Sequence, residues 1–325
     1  MKHTPRPPRT RQTQRGAALL MAMIIVTLVV TLAAGMVWQQ WRAVQVEAAE
    51  RARSQSVWIL TGALDWARLI LREDARTGGA DHLGEPWAVP LAEARLSTFL
   101  AADKDNTDDA PDAFLSGSIS DEHSRYNLSN LIGAGKVIPE ELAALERLCQ
   151  AVGTATDVAT RIAEGLRDAS APAGSAGTPG AGGATALLPR DVSQLAWFGV
   201  SAEALHRLGP YVTLLPTRTV VNANTAGREV LVATLKGLDL ASAERLLQVR
   251  QRSHFRTVAD VLAQIPGVEL DANPPIGVVS NFFEIRGRLR VGDRVLEQRS
   301  LVERRGLEVV LLLREQIASR ESAGP

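Results

Sequence analysis

From Ala17 to Trp41 the chain carries no charged residue, and Ala17 to Trp38 is interrupted only by Thr27, Thr31 and Gly35. Wound as an α-helix, the charge-free stretch is about 37 Å long at 1.5 Å per residue. A bilayer's hydrocarbon core is about 30 Å thick, so the stretch is long enough to span it. A cleaved secretory signal has a shorter apolar region and a small-x-small site after it. Here the apolar run passes straight into a further helical pattern. The sequence therefore predicts a membrane-spanning helix over 17–41, with Trp38 and Trp41 as an interfacial aromatic pair. Lys2, Arg6, Arg9, Arg11 and Arg15 precede it with no acidic residue among them. By the positive-inside rule they stay cytoplasmic and the body lies across the membrane. Removing those five from 36 basic and 36 acidic residues leaves the remainder with a formal charge of −5. Such a body lacks the excess of clustered Lys and Arg that phosphate-backbone binding requires. A single cysteine, Cys149, excludes an internal disulfide framework and multi-cysteine metal sites. It falls on the apolar pattern Leu142, Leu145, Leu148, which reads as core.

Past the membrane the periodicity stays helical. Val57, Leu60, Leu64, Ala67 and Leu71 recur at steps of three and four, with Arg68 and Arg72 largely opposite, and Gly78-Gly79 is the expected stop. One helix of about sixty residues follows, with Trp58 and Trp66 expected to pack on a sheet. Near the other end the period changes to two. Phe283, Ile285, Leu289 and Val291 alternate with Glu284, Arg286, Arg288 and Arg290, and further strands are predicted over 295–304 and 307–314. The fold class expected is α+β: a long N-terminal helix packed on a C-terminal antiparallel sheet over 271–315, with a short tail over 316–325. Between them 42–131 continues the helix and supplies first strands, and 132–270 forms a large inserted all-α domain. Within it, helices are predicted over 139–152, 157–167 with Asp157 as cap, 192–208 broken at Gly199-Val200, 225–235, 240–251 and 258–264. Trp87 and Trp197 are expected to anchor this domain. The Gly/Ala-rich run 169–185 has few side chains to pack and is expected to be a flexible loop.

The junction Gln14-Arg15-Gly16-Ala17-Ala18 ends a basic leader in glycine just where the apolar helix begins. It resembles the cleavage site of type IV prepilins and pseudopilins. A plain signal anchor with a chance glycine explains the junction equally well. Two positions depart from the usual pattern: Ala17 stands where Phe or Met is common, and Met21, fifth after the glycine, stands where most pilins carry Glu. A glutamate there costs about 2.5–3.5 kcal/mol in the bilayer. By resemblance it is kept because it pairs with a neighbour's N-terminal amine. A subunit without it is suited to the end of a filament.

Several further segments resemble one family in order. They are Glu85-Pro86-Trp87-Ala88, the run from Ile119 to Leu131 ending Asn127-Leu128-Ser129-Asn130-Leu131, Leu208 to Pro216, and Val221-Asn222-Ala223-Asn224-Thr225-Ala226. Together with the leader they are similar to the K subunits of type II secretion systems. The resemblance implies a non-enzymatic minor pseudopilin of a Gram-negative inner membrane, single-pass, with residues 1–16 removed by a prepilin peptidase after Gly16 and Ala17 then N-methylated. It implies assembly with the I and J minor pseudopilins at the tip of a periplasmic pseudopilus built from a major pseudopilin, and contact with secretin or exported cargo.

No cofactor motif is present. Calcium is the one ion to consider. The acidic segment expected after Arg161–Asp168 is replaced by the carboxylate-free run, and calcium needs six to eight oxygens. The other acidic cluster, Asp103, Asp105, Asp108 and Asp109, reads better as a solvated loop. The competing reading is a membrane-anchored DNA-binding protein. Leu235-Lys236-Gly237-Leu238-Asp239 and Ile265-Pro266-Gly267-Val268-Glu269 look like helix-hairpin-helix turns, which grip phosphate through backbone N–H groups. In both the second glycine is acidic, and a carboxylate at that helix N-terminus repels phosphate, so no nucleic-acid partner is expected. The histidines His82, His123, His206 and His254 lie in separate segments without paired spacing, and no hydrolase or phosphate-loop motif occurs. Tyr126, Asn127 and Asn130 are expected to satisfy backbone rather than act on substrate.

Overall fold

The computed structural model describes residues 15–96, 113–170, 187–266, 274–292 and 294–317. By contacts the chain divides into two units, residues 1–59 and 60–325, taken separately below. Helix α1 spans Arg15–Thr77 and belongs to both. In the first unit Thr27 Oγ1 donates to the carbonyl oxygens of Met23 and Ile24, and Thr31 Oγ1 to that of Leu28. Hydroxyls folded back onto their own helix need no water, which suits an apolar solvent. Trp38 and Trp41 stack with centroids 5.4 Å apart. Trp58, expected to pack on a sheet, is 75% exposed instead.

The second unit holds a five-stranded antiparallel sheet, formed in chain order by β1 (Leu91–Arg95), β2 (Ala113–Asp121), β3 (Phe282–Val291), β4 (Arg294–Arg305) and β5 (Glu308–Ile317). Period-two alternation puts Phe283, Ile285 and Val302 on the face that packs against Leu64, Ala67 and Leu71 of α1, with Trp87 and Val309 closing the cluster. Full burial of a side chain such as Leu71 is worth about 1.5–3 kcal/mol. The Arg68 guanidinium donates to the Val309 carbonyl at 2.9 and 2.6 Å, tying the helix to the β4–β5 hairpin. Helix α1 ends where expected. Gly78 (φ 64°) and Gly79 (φ 119°) take left-handed backbone that a side chain would strain.

The segment between β2 and β3 is helical: α2 (Pro139–Ala151), α3 (Asp157–Ser170), a 3₁₀ stretch Val192–Phe198, α4 (Ala202–Leu208), α5 (Arg228–Thr234), α6 (Leu240–Arg252) and α7 (Val258–Leu262). It is not purely α. Two-residue pairs join Tyr126–Asn127 to Val212–Thr213, Ile132–Gly133 to Lys136–Val137, and Val221–Asn222 to Ile276–Gly277. Its core includes Leu145, Leu148, Cys149, Ile162, Leu195 and Leu231, and draws in Tyr126 and Ile276 from outside 132–270. Cys149 is wholly buried and its thiol is pushed up to about 11, so it is packing material. Asp157 does not cap α3 from outside; it sits in the first turn and pairs with Arg161. Ser201 does cap α4, accepting from the Ala204 N–H at 3.2 Å. The Gly/Ala run lies outside the described residues but for Ala169 and Ser170, which extend α3. Trp197 is 56% exposed, whereas Trp87 is buried against Phe283, in the cluster under α1 rather than in the insertion.

Candidate functional site

The residues expected to govern processing sit on one stretch of α1. Gly16, Ala17 and Met21 are all exposed, and Ala17 and Met21, four apart, share a helix face. No acidic residue lies in the first turn of the helix. The calcium candidates Asp103, Asp105, Asp108 and Asp109 lie outside the described residues.

The densest chemistry is where the end of α1, the sheet and the helical insertion meet. Asp121, the last residue of β2, is fully enclosed. Its Oδ2 accepts from the Thr225 hydroxyl at 2.6 Å, the Ser280 hydroxyl at 2.7 Å and Asn222 Nδ2 at 3.2 Å, and its Oδ1 from the His123 N–H at 2.8 Å. Burial outweighs these bonds and raises the carboxyl to about 6. Asn222 also reaches the Asp81 carbonyl and the Ser280 hydroxyl. One side chain of the insertion thereby holds both the loop after α1 and the segment leading into β3. Thr225, expected to start a helix, spends its hydroxyl on Asp121, and α5 begins only at Arg228.

Beside this knot lies a buried arginine. Arg304 of β4 donates to Asp81 at 2.6 and 2.7 Å, to the Ser280 carbonyl at 2.7 Å and to Asp74 at 2.6 Å. Burial raises the carboxyls of Asp74 and Asp81, and neighbouring Glu85 raises Asp74 further. Oxygens of Asp74, Asp81 and Glu85 all lie within 4.8 Å of one another. That trio could in principle hold a divalent ion, but the Arg304 guanidinium already supplies the cation at Asp74 and Asp81. Glu85 meanwhile accepts from the His82 N–H and the Trp87 indole. The donor set suits a guanidinium better than calcium, which needs six to eight oxygens.

Asn127 and Asn130 satisfy backbone as expected. Asn127 accepts from Ser129 and Leu215 and donates to Thr217, while Asn130 bridges the Thr219 N–H and carbonyl. Tyr126 donates to Glu141. His82 and His254, unrelated in sequence, stack with centroids 3.7 Å apart. Burial pushes the His254 imidazole down, and His82 adds to the shift. His123 is buried, lowered to about 4, and accepts from the Asn281 N–H. These groups are spent on structure rather than arranged as nucleophile, base and orienter. At the first hairpin turn Asp239 accepts from the Ser242 N–H at 2.6 Å and its carboxyl is held low by that bond. The anion pocket of that turn is filled by the protein's own carboxylate; Glu269 of the second turn lies outside the described residues.

Sequence reasoning missed Asp74, Asp81, Ser280 and Arg304. One signal was available. Arg304 shares strand parity with Val302 and Ser300, so an arginine was due to point toward α1 and need an acid there.

Two models of the family described as type II secretion system protein K match this chain, over residues 124–217 and 221–279. Those stretches hold Asn127, Asn130, Asn222 and Thr225. Full-length relatives carry the same description. The protein of Pseudomonas aeruginosa is 28% identical over 303 residues, covering 87% of each chain. That of Pectobacterium carotovorum is 28% identical over 337 residues, covering 94% of this chain and 97% of its own. That of Klebsiella pneumoniae is 29% identical over 320 residues, covering 90% and 93%. The fold is also that of a chain in the crystal structure of the GspK–GspI–GspJ complex from enterotoxigenic Escherichia coli. There the TM-score is 0.66 at 21% identity, over 83% of this chain and 99% of that one. Among the described residues one helix is long and apolar enough to cross a membrane, residues 64–71 of that helix pack on an antiparallel sheet, and with the helical insertion and these relatives the chain is similar to type II secretion system protein K over most of its length.

Proposed function

We propose that this protein is the minor pseudopilin that caps the tip of a type II secretion pseudopilus, where it helps start assembly and export of folded proteins. The observation that carries the reading is Met21. Counted from Ala17 it is the fifth residue, on the exposed apolar stretch of α1, where a filament subunit would present a carboxylate to its neighbour's ammonium. A chain with no such group loses the electrostatic contact that makes a subunit interchangeable along a shaft. Its place is at the end.

In this reading the basic leader stays cytoplasmic, the peptidase cuts after Gly16, the new Ala17 amine is methylated, and the body lies in the periplasm. The partners are I- and J-type minor pseudopilins, then the major pseudopilin below, with secretin or cargo above. The E. coli protein of similar fold crystallised with its I and J counterparts, which supports that choice. The reading involves no catalysis, no cofactor and no nucleic acid. Asp239, seated on its own helix N-terminus, supports the last point.

Co-expression of the full chain with I- and J-type subunits should give a ternary complex that survives purification in detergent. Labelled particles should carry the chain at one extremity only, and Met21→Glu should let it appear along the shaft. Absence of any complex, or wild-type label spread along the fibre, removes the tip assignment. Replacing Gly16 with a bulky residue should leave a longer, uncleaved chain; unchanged mobility would refute processing there.

A further inference from the structure

The face of the sheet turned away from α1 carries two unlike rows. Arg286 of β3 and Arg299 of β4 stand directly opposite each other in register, and like charges so placed repel. One buried carboxylate, Glu284, serves both, at 2.6 Å from Arg286 and 3.7 Å from Arg299. Arg299 is further tied to Asp191 and, at 3.1 Å, to Glu315. Two residues along β4 the chemistry changes. Leu301 faces Leu313 of β5 in register, and these half-buried leucines belong to neither apolar core.

Between these rows and the helical insertion lies a cleft of about 420 Å³, lined also by Glu122, Arg125 and Arg190. An apolar cavity of about 150 Å³ holds benzene, so the cleft admits two side chains and the backbone joining them. Its cations are unequally served. Arg125 lies 3.2 Å from Glu122 Oε1, but burial raises that carboxyl against the pull of Arg125, and Glu284 adds to the rise, which weakens it as a counter-ion. Arg190 adjoins Asp191, the partner of Arg299, and so stands beside the arginine row; it is exposed and has no ion pair among the described residues. The carboxylates of Glu122, Asp191 and Glu284 line the same cleft and repel a phosphate dianion. A single carboxylate needs only the spare donors of one or two arginines. A free small anion would leave the leucine pair uncovered.

We propose that the cleft docks an extended segment of a partner protein in which an aspartate or glutamate stands two residues from a leucine, isoleucine or valine, the acid on Arg190 and the aliphatic side chain on Leu301 and Leu313. The spacing follows from the sheet. Residues two apart on a strand share a face and lie about 6.8 Å apart. That is the step from the Arg299 row to the Leu301 row, and an extended segment laid along it repeats the step. The inference does not rest on the tip reading, because its probe is a peptide and no other subunit takes part.

The test uses the full chain in lipid nanodiscs, with labelled leucine methyl groups, titrated with a blocked heptapeptide centred on Glu-Ala-Leu. Methyls of Leu301 and Leu313 should shift saturably. A Gln-Ala-Leu peptide should bind about tenfold more weakly, the effect of losing one charge-assisted hydrogen bond. Arg190→Gln should weaken the Glu-Ala-Leu peptide about threefold, since an exposed pair is worth less. That variant breaks no ion pair among the described residues, so its melting temperature should not move. No saturable shift, equal affinity of the two peptides, or unchanged affinity in Arg190→Gln overturns the proposal. Saturation of the same methyls by acetate or phosphate alone overturns it in favour of a simple anion site. A shift that grows with protein concentration and no peptide overturns it in favour of a second copy. If Arg190→Gln does not fold, Leu313→Glu, which sets a carboxylate on the leucine pair, should abolish peptide binding; binding left intact would show the site to be wrong.

Discussion

The two places where this protein's parts are joined differ in kind. Helix α1 meets the sheet through apolar contacts, Leu64 and Leu71 against Phe283 and Val302, and it meets them incompletely. A trough remains, and Trp66 and Val89 stay 50% and 68% exposed at its rim. The helical insertion meets the same sheet through a saturated polar knot, Asp121 with Asn222, Thr225 and Ser280, locked by Arg304 on Asp74 and Asp81. Apolar packing is non-directional and tolerates a gap. Buried hydrogen bonds fix one geometry, because every alternative leaves a group unpaired. The insertion is thus fixed on the core by directional bonds, while the α1 flank tolerates a gap in its packing.

This contrast can be broken by substitution. Arg304→Leu should destabilise the chain by about 3–5 kcal/mol, because it strands buried carboxylates. Thermal melting with a loss near zero would mean the knot is decorative. Trp87→Ala should cost about 3–5 kcal/mol by opening the cluster under α1. If the Arg304 variant lost far less than the Trp87 variant, apolar packing rather than the knot would be fixing the arrangement. Asp239→Ala removes an N-cap and should lower the melting temperature slightly, with no gain in affinity for duplex DNA. A salt-dependent gain would restore the helix-hairpin-helix reading.

Asp121 sharpens the comparison through pH. Its carboxyl lies at about 6 in the folded chain against an ordinary 3.8. Between those values the folded state holds a proton that the unfolded state has released. This group's contribution to stability is therefore full below pH 3.8 and lost as pH rises through about 6. His254, shifted down by burial and by His82, runs the other way, its contribution fading as pH falls below the ordinary imidazole range. NMR titration should find Asp121 near 6 and His254 below 6.5; an Asp121 value under 4 would show that the hydrogen bonds outweigh burial. The smallest effect is expected for Trp66→Ala, within about 0.5 kcal/mol for an exposed side chain. A loss as large as that of Trp87→Ala would mean Trp66 is buried in solution.

The tryptophans also show where sequence reading stops. Periodicity located α1, its end at Gly78-Gly79, the three C-terminal strands and nearly every helix of the insertion, because these patterns are local. It placed Trp58 and Trp66 in the packing because both are large and lie on a helix, yet burial depends on which flank the sheet covers. Asn127 and Asn130 were readable as backbone-satisfying residues. Their partners, some ninety residues away, were not.

What the sequence determined by itself was everything set by near neighbours: an apolar span, a basic-to-apolar junction at Gly16, Met21 in place of a carboxylate, and alternating strands. Tertiary structure alone decided that Asp81 would meet Arg304 across 223 positions, that two unrelated histidines would stack, and that Gly117 and Gly287 would stand opposite each other beside a trough. Those outcomes depend on strand register and on the placement of the insertion. Both are fixed by the mutual burial of distant side chains, which no local window contains.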